Sequence, residues 1–321
     1  MEYKNKTEVT EFLLCGFPSL LELQIILFIF FLLIYVLTVS ENIIIVATVQ
    51  LHPKLQKPMY FFLSNLAFLE ICYVSVTIPN LLVIVLAERK TISFSGCMTQ
   101  LFFFISLMCS ECVLLAVMAF DRYVAVCLPL HYVKIMRHEL CIQLAVSSWV
   151  SGFAITIIKM YFISKLSFCG PNIINHFFCD ISPVLNLACI DMSLAELVDF
   201  ILALVILLIP LLVTTISYIC IIYTILKISS TDGRQKAFST CASHLTVVTM
   251  FFSTTLFMYA RPKKAKSVDA NKLISLLYAV FTPMINPFIY CLRNKEIWDI
   301  LIKYLCHKKK FPDLFSVYNN T

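Results

Sequence analysis

The sequence predicts an all-α membrane protein, a seven-transmembrane helix bundle with a short amphipathic C-terminal helix. Three observations favour this fold class. Hydrophobic residues make up 60% of the 321 residues and charged residues 14%, and the mean hydropathy is +0.89. Soluble proteins carry about 25% charged residues, so this chain has to expose much of its surface to lipid. Its apolar residues form seven runs, each long enough to cross a hydrocarbon core of about 30 Å as a helix.

The seven runs follow one another with short polar connections between them. The third begins at Cys97 and continues for some two dozen residues. The others are predicted at about 24–49, 58–86, 140–163, 196–226, 237–260 and 273–292. We therefore expect residues 1–23 to form an extracellular N-terminal tail, residues 24–292 the seven-transmembrane domain, and residues 293–321 a surface helix and a cytoplasmic tail.

Local signals set several of these boundaries. Pro58 opens the second span, since proline is tolerated in the first turn of a helix. Asp232-Gly233 predicts a turn between the fifth and sixth spans. Residues 293–306 alternate apolar and charged side chains, as a helix lying on the membrane surface does. The longest connection, residues 164–195, follows the fourth span.

An odd number of spans places the two termini on opposite sides of the membrane. The predicted inner and outer connections carry nearly equal numbers of Lys and Arg, with Lys159 and Lys165 counted outside, so the loops do not decide the orientation. Basic residues are more frequent after the last span than before the first, and Asn5 lies in an N-glycosylation sequon. We expect a multi-pass plasma-membrane protein with an extracellular N terminus and a cytoplasmic C terminus.

Ionisable residues interrupt the third span. Glu111 lies in its middle, and Asp121 and Arg122 are adjacent at its inner end. A charged side chain at the centre of a bilayer costs about 2.5–3.5 kcal/mol or more, so such residues are functional candidates. A buried acid held by a hydrogen bond, or an ion pair that anchors a helix end, would explain the same residues without a further role.

Four polar residues from four spans are predicted at similar depths. Counting about 1.5 Å per helical residue from the inner ends, Asn42, Glu70 and Glu111 lie roughly 15–18 Å and Asn286 roughly 10 Å above the inner face. Two carboxylates close together cannot both ionise unless a cation or a shared proton lies between them. We therefore hypothesise a polar cluster that holds Na⁺ or a proton between Glu70 and Glu111. Two unrelated acids facing different neighbours are the alternative.

Motifs spread over nearly the whole chain carry a resemblance to a known family. They are PMYFFLSNLAFLE (58–70), MAFDRYVAVCLPLHY (118–132), Ser217-Tyr218, KAFSTCASHL (236–245) and PMINPFIYCLRN (283–294). With these motifs the chain resembles vertebrate odorant receptors of the rhodopsin-like G-protein-coupled class. The resemblance implies a small volatile odorant as ligand, an olfactory stimulatory G protein as partner and cyclic AMP as the signal.

The resemblance also implies roles for individual residues. It implies disulfide bonds Cys97–Cys179 and Cys169–Cys189. It implies a switch in which Asp121 neutralises Arg122 at rest and an outward swing of the sixth span frees that arginine. Pro210 and Pro287 supply helix bends, because proline removes a helix hydrogen bond. The expected switch residues are Asp121, Arg122, Tyr218, His244 and Tyr290.

The ligand site is expected in the outer half, between the third, fifth, sixth and seventh spans. The candidates are nearly all apolar, which suits a small hydrophobic molecule. We expect Tyr259 and Thr255 to be hydrogen-bond donors to it, and plain helix packing would also explain a stripe of Phe and Met. The candidates are Phe104, Ile105, Met108, Cys109, Leu202, Ile206, Phe252, Thr255, Tyr259 and Leu276.

The chain departs from the family pattern at three places. Glu41 replaces the usual glycine before Asn42, Glu70 replaces the usual aspartate, and Phe252-Ser253 replaces Tyr-Gly. The departure at Phe252-Ser253 falls where the ligand and switch residues of the family lie.

Other classes of function have weaker support in the sequence. Inverted repeats in the sequence would support a transporter or channel, and none is found. An intramembrane enzyme would need a nucleophile with a base, or metal ligands, at membrane depth, and the sequence shows no such set. The sequence has no basic patch interleaved with aromatic residues, so it does not indicate nucleic-acid binding. Membrane lipid is expected as a partner because the surface is apolar. The segment His176-Phe-Phe-Cys179-Asp180 has metal-ligand residue types, but a disulfide-bonded Cys179 cannot be a ligand. No metal site and no cofactor other than the candidate Na⁺ are expected.

Overall fold

The computed structural model describes residues 9–16, 21–168, 172–189, 193–259, 272, 275–293, 296–300 and 302. Within these ranges seven helices of 12 or more residues, numbered α1 to α7, form the membrane bundle, which confirms the predicted fold class. They are α1 (Leu21–Leu51), α2 (Pro58–Leu86), α3 (Phe94–Cys127), α4 (His138–Ile163), α5 (Ser193–Leu226), α6 (Thr231–Tyr259) and α7 (Thr282–Arg293).

Length and hydropathy allow each of α1 to α5 to cross a membrane. The apolar part of α6 is the shorter stretch Cys241–Phe257, and α7 is extended at its start by a π-helical turn, Leu277–Phe281. The turn predicted at Asp232-Gly233 is wrong, because α6 already begins at Thr231. Asp and Gly are also common where helices begin, so the dipeptide alone does not separate a turn from a helix start.

The third helix is the axis of the bundle and packs against α2, α4 and α5. In its most apolar stretch 78% of the residues are buried, against 17% for α1 at the periphery. Close packing of α3 and α4 depends on Gly152, since a Cβ there would lie 2.7 Å from the backbone nitrogen of Ser110. Only glycine lets the two backbones approach so closely.

A small sheet covers the end of the bundle that carries Cys97. Strand β1 (Glu11–Leu14) lies in the middle, antiparallel to β2 (Thr91–Ser93) and parallel to β3 (Ile173–Ile174). Phe12 and Leu14 point inward and are fully buried with the Cys97–Cys179 disulfide. Part of the expected N-terminal tail is therefore a structural element, because alternating residues bury their side chains on one face.

The segment after α7 is partly described. Residues 296–300 are helical, with Ile297 buried and Trp298 largely exposed, as on an amphipathic helix. Most of the predicted surface helix, like Asn5 and its sequon, lies outside the described residues.

Candidate functional site

The four polar residues predicted at mid-membrane depth are all buried. Asn42, Glu70, Glu111 and Asn286 expose at most 3% of their surface. The Asn286 side-chain amide donates to Glu70 Oε1 at 2.6 Å, and Glu70 and Glu111 interact electrostatically. The Asn42 amide donates to the carbonyl of Thr38 in its own helix, which leaves its oxygen available. The bundle thus joins α2 and α7 through a direct hydrogen bond.

Several oxygen atoms around this hydrogen bond have no donor. Within the described residues no hydrogen-bond partner reaches Glu111 Oε1, Asn42 Oδ1, Asn286 Oδ1, the Tyr290 hydroxyl or Glu41 Oε2, although all five atoms are buried. Buried acceptors without donors are costly, and a cation or an additional proton would satisfy them. Across the described part of the chain, no group of three or more His, Cys, Asp or Glu side chains is placed to hold a metal ion. Any cation here would therefore depend on amide oxygens as well.

The loop after α4 closes over the outer half of the bundle. The expected Cys97–Cys179 disulfide is confirmed, and the Cys179 backbone N–H donates to Gln100 Oε1 of α3 at 3.1 Å. Below it Phe178 packs on the candidate ligand residue Phe104, with ring centroids 4.9 Å apart. The loop is consequently attached to α3 by a covalent bond, a hydrogen bond and an aromatic contact.

The second expected disulfide is only partly within view. Cys189 is disulfide-bonded, and its backbone N–H donates to the carbonyl of Ser167 at 2.9 Å. A β-bridge between Phe168 and Ala188 lies beside it. Cys169 lies outside the described residues.

A buried histidine attaches the same loop to the helical residues just before α7. His176 Nδ1 accepts from the Phe178 backbone N–H at 3.4 Å, so a neutral ring carries its proton on Nε2, 3.1 Å from Ser275 Oγ. Burial lowers the pKa of His176 to about 4, and the nearby Lys272 ammonium also lowers it. The Tyr278 hydroxyl donates to Ser275 Oγ at 3.3 Å and to Asp180 Oδ2 at 3.5 Å. At neutral pH the contact uses an uncharged imidazole.

In the described part of the bundle the candidate ligand residues are buried or half-buried, and Phe104 is the one shown to contact this loop. Phe104, Ile105, Cys109, Phe252 and Thr255 are buried, and Met108, Leu202, Ile206 and Leu276 are half-buried. The side chain of Tyr259 lies outside the described residues. The Thr255 hydroxyl donates to the carbonyl of Phe251 at 2.7 Å, so it can offer a ligand only an acceptor in this arrangement.

One polar pair in the outer half was missed by the sequence analysis. Lys159, counted there among the outer-loop residues, lies within α4 with a side chain only 1% exposed. Its ammonium donates to Asp199 Oδ1 of α5 at 2.8 Å. The residue could have been found from periodicity, because it continues the buried stripe of α4 formed by Ser148, Gly152 and Thr156.

At the inner end of α3 the charges of Asp121 and Arg122 interact electrostatically, but the two side chains are not in salt-bridge contact. Asp121 is buried and instead accepts a hydrogen bond from the Tyr132 hydroxyl at 2.8 Å. Burial and the adjacent Asp121 carboxylate raise the pKa of Tyr132, which keeps that donor protonated. Among the described side chains, Arg122 is in salt-bridge contact with none, and its charge acts on Tyr218, His244 and Tyr290. The charge of Arg122 thus acts on residues of α5, α6 and α7 as well as on Asp121.

Two of the expected switch residues are in direct contact. The Tyr218 hydroxyl lies 2.6 Å from His244 Nδ1, and their rings stack with centroids 5.9 Å apart. Tyr290 is buried beside the polar cluster and interacts electrostatically with Glu70 and Tyr218. Of the five expected switch residues, Tyr218 and His244 are thus in direct contact, and Arg122 and Tyr290 interact with others of the set electrostatically.

Beyond these residues the start of α2 contacts the helical segment after α7. Lys57 Nζ lies 3.0 Å from Glu296 Oε2, which also accepts from the Tyr60 hydroxyl at 2.8 Å. The hydrogen bond from Lys57 lowers the pKa of Glu296. Both partners of the ion pair are more than half exposed.

The described chain has a bundle of seven helices, a disulfide-bonded loop over its outer half and a buried contact between Tyr218 and His244 toward its inner end. These features together define a seven-helix membrane receptor. A sequence profile described as olfactory receptor matches residues 31–308. The chain belongs to the olfactory receptor family, which confirms the resemblance noted from its motifs. It is therefore a multi-pass plasma-membrane receptor and not an enzyme.

Individual relatives are similar over nearly their whole length. The chain is 60% identical to human olfactory receptor 6B1 over 303 residues, which are 94% of this chain and 97% of the relative. It is 57% identical to mouse olfactory receptor 6B9 over 300 residues, 94% of this chain and 95% of the relative. It is also 57% identical to human olfactory receptor 6A2, with 92% of each chain covered.

Proposed function

We propose that this odorant receptor binds small, volatile, mostly hydrophobic ligands and activates the olfactory stimulatory G protein, which raises cyclic AMP. The observation that carries the proposal is the combination of a largely apolar outer half, covered by a disulfide-bonded loop, with the contact between the switch residues Tyr218 and His244 toward the inner end. Apolar walls with a few polar groups are typical of small-molecule sites. The contact between Tyr218 and His244 joins α5 to α6, and breaking it would give the second arrangement that a receptor needs.

The inner half supports coupling to a G protein. A cleft of about 380 Å³ lies between the ends of α5 and α6 and is lined by residues such as Ile222, Leu226 and Phe238. Such a cleft suits the apolar face of a partner helix. An outward swing of α6 would separate His244 from Tyr218 and widen the cleft. The resting and active states need differ by only a few kcal/mol for a weak ligand to shift their populations.

The orphaned oxygens around Glu70 and Glu111 support a bound Na⁺ or a shared proton. Asn42 and Asn286 would supply amide oxygens and the two glutamates carboxylates. A bound cation would neutralise the like charges and stabilise the packed arrangement of α2, α3 and α7. The present residues fit either occupant, since each needs buried acceptors that lack donors.

An extracellular N terminus is supported by the position of β1. This strand lies beside the Cys97–Cys179 disulfide, and disulfides form on the oxidising side of the membrane. The chain before β1, with the Asn5 sequon, therefore belongs to the same side. Glycosylation of Asn5 would follow from this orientation.

Cyclic AMP measured in transfected cells during exposure to a panel of volatiles tests the proposal. We expect a dose-dependent rise that requires the stimulatory G protein and is lost in an Arg122→Ala variant expressed equally well at the surface. Ligand-dependent current or transport without cyclic AMP would contradict it. A response that persists in cells lacking the stimulatory G protein would contradict the choice of partner.

A further inference from the structure

An open pocket of about 510 Å³ lies between the outer ends of α2 and α3 and is bordered by strand β2. It shares no residue with the candidate ligand site, and the described residues that line it carry no charge. Pockets that hold small molecules measure about 300–1,000 Å³, so this one is large enough for a ligand. It is therefore a second candidate site, separate from the one to which the proposed function refers.

Hydrogen bonds between amide groups hold one wall of this pocket in place. Gln100 of α3 is buried, and its Nε2 donates to the carbonyl of Val76 of α2 at 3.0 Å. The side-chain amide of Asn80 also donates to Gln100 Oε1, at 3.5 Å. Pro79 lies inside α2 beside Asn80, where proline removes a helix hydrogen bond and favours a bend. The two helices are thus joined along this wall by polar groups.

Polarity changes with depth along the pocket. At about 1.5 Å per helical residue, Thr99 and Asn80 lie roughly 8–9 Å below the outer ends of α3 and α2. By the same count Val76 and Phe103 lie roughly 14–15 Å below those ends. The polar groups are therefore nearer the membrane surface and the apolar groups nearer its centre, which is the order of groups in a membrane lipid.

The rim of the pocket is apolar and opens toward the bilayer. Val83, one turn after Asn80 on α2, is largely exposed, and Phe103 of α3 is partly exposed. The ring of Phe103 makes an edge contact with Phe153 of α4, with centroids 6.5 Å apart. Exposed apolar side chains on a membrane helix contact lipid chains, which are equally apolar. A ligand can therefore enter this pocket from the lipid.

We infer that the pocket binds a membrane sterol, with its hydroxyl among the polar groups and its rings against Val76 and Phe103. A hydroxyl both donates and accepts hydrogen bonds, which suits the hydroxyls of Ser95 and Thr99. A phosphate head group would need a cationic partner, and the described lining residues supply none. A rigid ring system also loses little conformational entropy when it binds.

A sterol in this pocket acts on the loop that covers the outer half. Gln100 Oε1 accepts the Cys179 backbone N–H at 3.1 Å, so one side chain both lines the pocket and holds the loop beside its disulfide. A sterol that packs against Gln100 keeps this amide in place. Sterol binding is therefore expected to stabilise the covered form of the receptor.

Purified receptor reconstituted in vesicles tests the inference. The vesicles contain phosphatidylcholine alone, or phosphatidylcholine with cholesterol, with its 3α-epimer or with the anionic lipid phosphatidylglycerol. Thermal unfolding measures stabilisation, and a photoreactive cholesterol followed by peptide mass spectrometry locates the site. We expect saturable crosslinks within residues 76–103 that unlabelled cholesterol displaces. The melting temperature should rise with cholesterol and rise less with the epimer, whose hydroxyl has the opposite orientation.

Two variants of Thr99 separate filling of the pocket from loss of a hydroxyl. Thr99→Trp fills the pocket from an exposed position and should lose both the crosslink and the stabilisation by cholesterol. Thr99→Val changes the shape little, and it should weaken cholesterol binding by about two- to tenfold, as one hydrogen bond allows. The matched control is Thr215→Trp, at an exposed threonine of α5, which should keep both effects.

Three results would overturn the inference. One is a receptor that phosphatidylglycerol stabilises more than cholesterol does. Another is a set of saturable cholesterol crosslinks that lies wholly outside residues 76–103. The third is a Thr99→Trp receptor that keeps the cholesterol effect, or that loses no more of it than Thr215→Trp does.

Discussion

Two ion pairs of similar geometry lie in opposite halves of this receptor. Lys159–Asp199 in the outer half and Lys57–Glu296 at the inner end have N–O distances of 2.8 Å and 3.0 Å. Their exposure differs: the lysine side chains are 1% and 57% exposed, respectively. Removing one partner of a buried pair costs about 3–5 kcal/mol, whereas an exposed pair contributes about 0–1 kcal/mol. Burial and not distance therefore decides what each pair contributes.

The largest effect is expected from breaking the buried pair on one side only. Lys159→Ala should lower the free energy of unfolding by about 3 kcal/mol, the lower end of the range, because Asp199 is 20% exposed and can recover some hydration. Thermal unfolding of the detergent-solubilised receptor measures this. The double variant Lys159→Ala/Asp199→Ala should regain part of the lost free energy of unfolding. A single variant as stable as the wild type would show that water already reaches the pair.

The next effect concerns the packing that brings Lys159 into the bundle. Gly152→Ala should cost about 1–3 kcal/mol, because the added methyl group meets the α3 backbone at Ser110. Surface expression and thermal unfolding measure the loss. Ser151→Ala, at a partly buried neighbour, is the matched control and should be nearly neutral. Equal stability of the two variants would contradict the close approach of α3 and α4.

A single hydrogen bond to the buried Asp121 carboxylate gives a comparable or smaller effect. Tyr132→Phe removes the hydroxyl that donates to the buried Asp121, at a cost of about 1–3 kcal/mol. It should also change basal cyclic AMP, since Asp121 then lacks this donor beside Arg122. Tyr223→Phe, at an exposed tyrosine of α5, is the control. Unchanged stability and basal signal in Tyr132→Phe would contradict a role for this contact.

The buried histidine predicts a dependence on pH. The folded state holds the pKa of His176 at about 4, against an ordinary value of 6.5. Between these two pH values the unfolded chain binds a proton at His176 that the folded chain does not. Stability should be level above about pH 6.5 and should fall as the pH drops from there toward 4. Melting temperatures of wild type and His176→Gln across this range test it. An equal slope in the two proteins would place the titrating group elsewhere.

The exposed pair should give the smallest effect. Glu296→Gln should cost no more than about 0–1 kcal/mol at neutral pH. Its lowered pKa means that the contribution is present above the usual carboxylate range and is lost as the pH falls through the folded-state value. Raising the salt concentration should also reduce it, which the buried pair should resist. A large loss in this variant would mean that Tyr60, which donates to the same carboxylate, depends on the charge.

Much of the fold could be predicted from the sequence because hydrophobic length and residue counts along a helix report depth. Depth placed Glu70 and Asn286 in one polar cluster, and a hydrogen bond joins the two residues in the structure. Residue counts along a helix give the depth of a side chain in the membrane but not the face of the helix on which it lies. Lys159 was therefore assigned to a loop, although its spacing from Gly152 and Thr156 places it on the buried face of α4.

Contacts between distant segments were the other limit. Glu11–Leu14 is too short to be recognised as a strand by itself, and its partners β2 and β3 come from far along the chain. The donor to Asp121 is likewise Tyr132, eleven residues on, rather than the adjacent Arg122. Adjacency in sequence suggested an ion pair there, but burial of the carboxylate favours a donor that can approach it directly.

The order of strands β2-β1-β3 has a consequence for how the receptor is made. Strand β1 precedes all seven helices along the chain and occupies the centre of the sheet, yet one of its neighbours, Ile173–Ile174, is synthesised only after α1 to α4. The sheet that covers the outer end of the bundle can therefore be completed only midway through biosynthesis. A nascent chain halted before that point has helices whose outer end is uncovered and a strand β1 that lacks its partner β3.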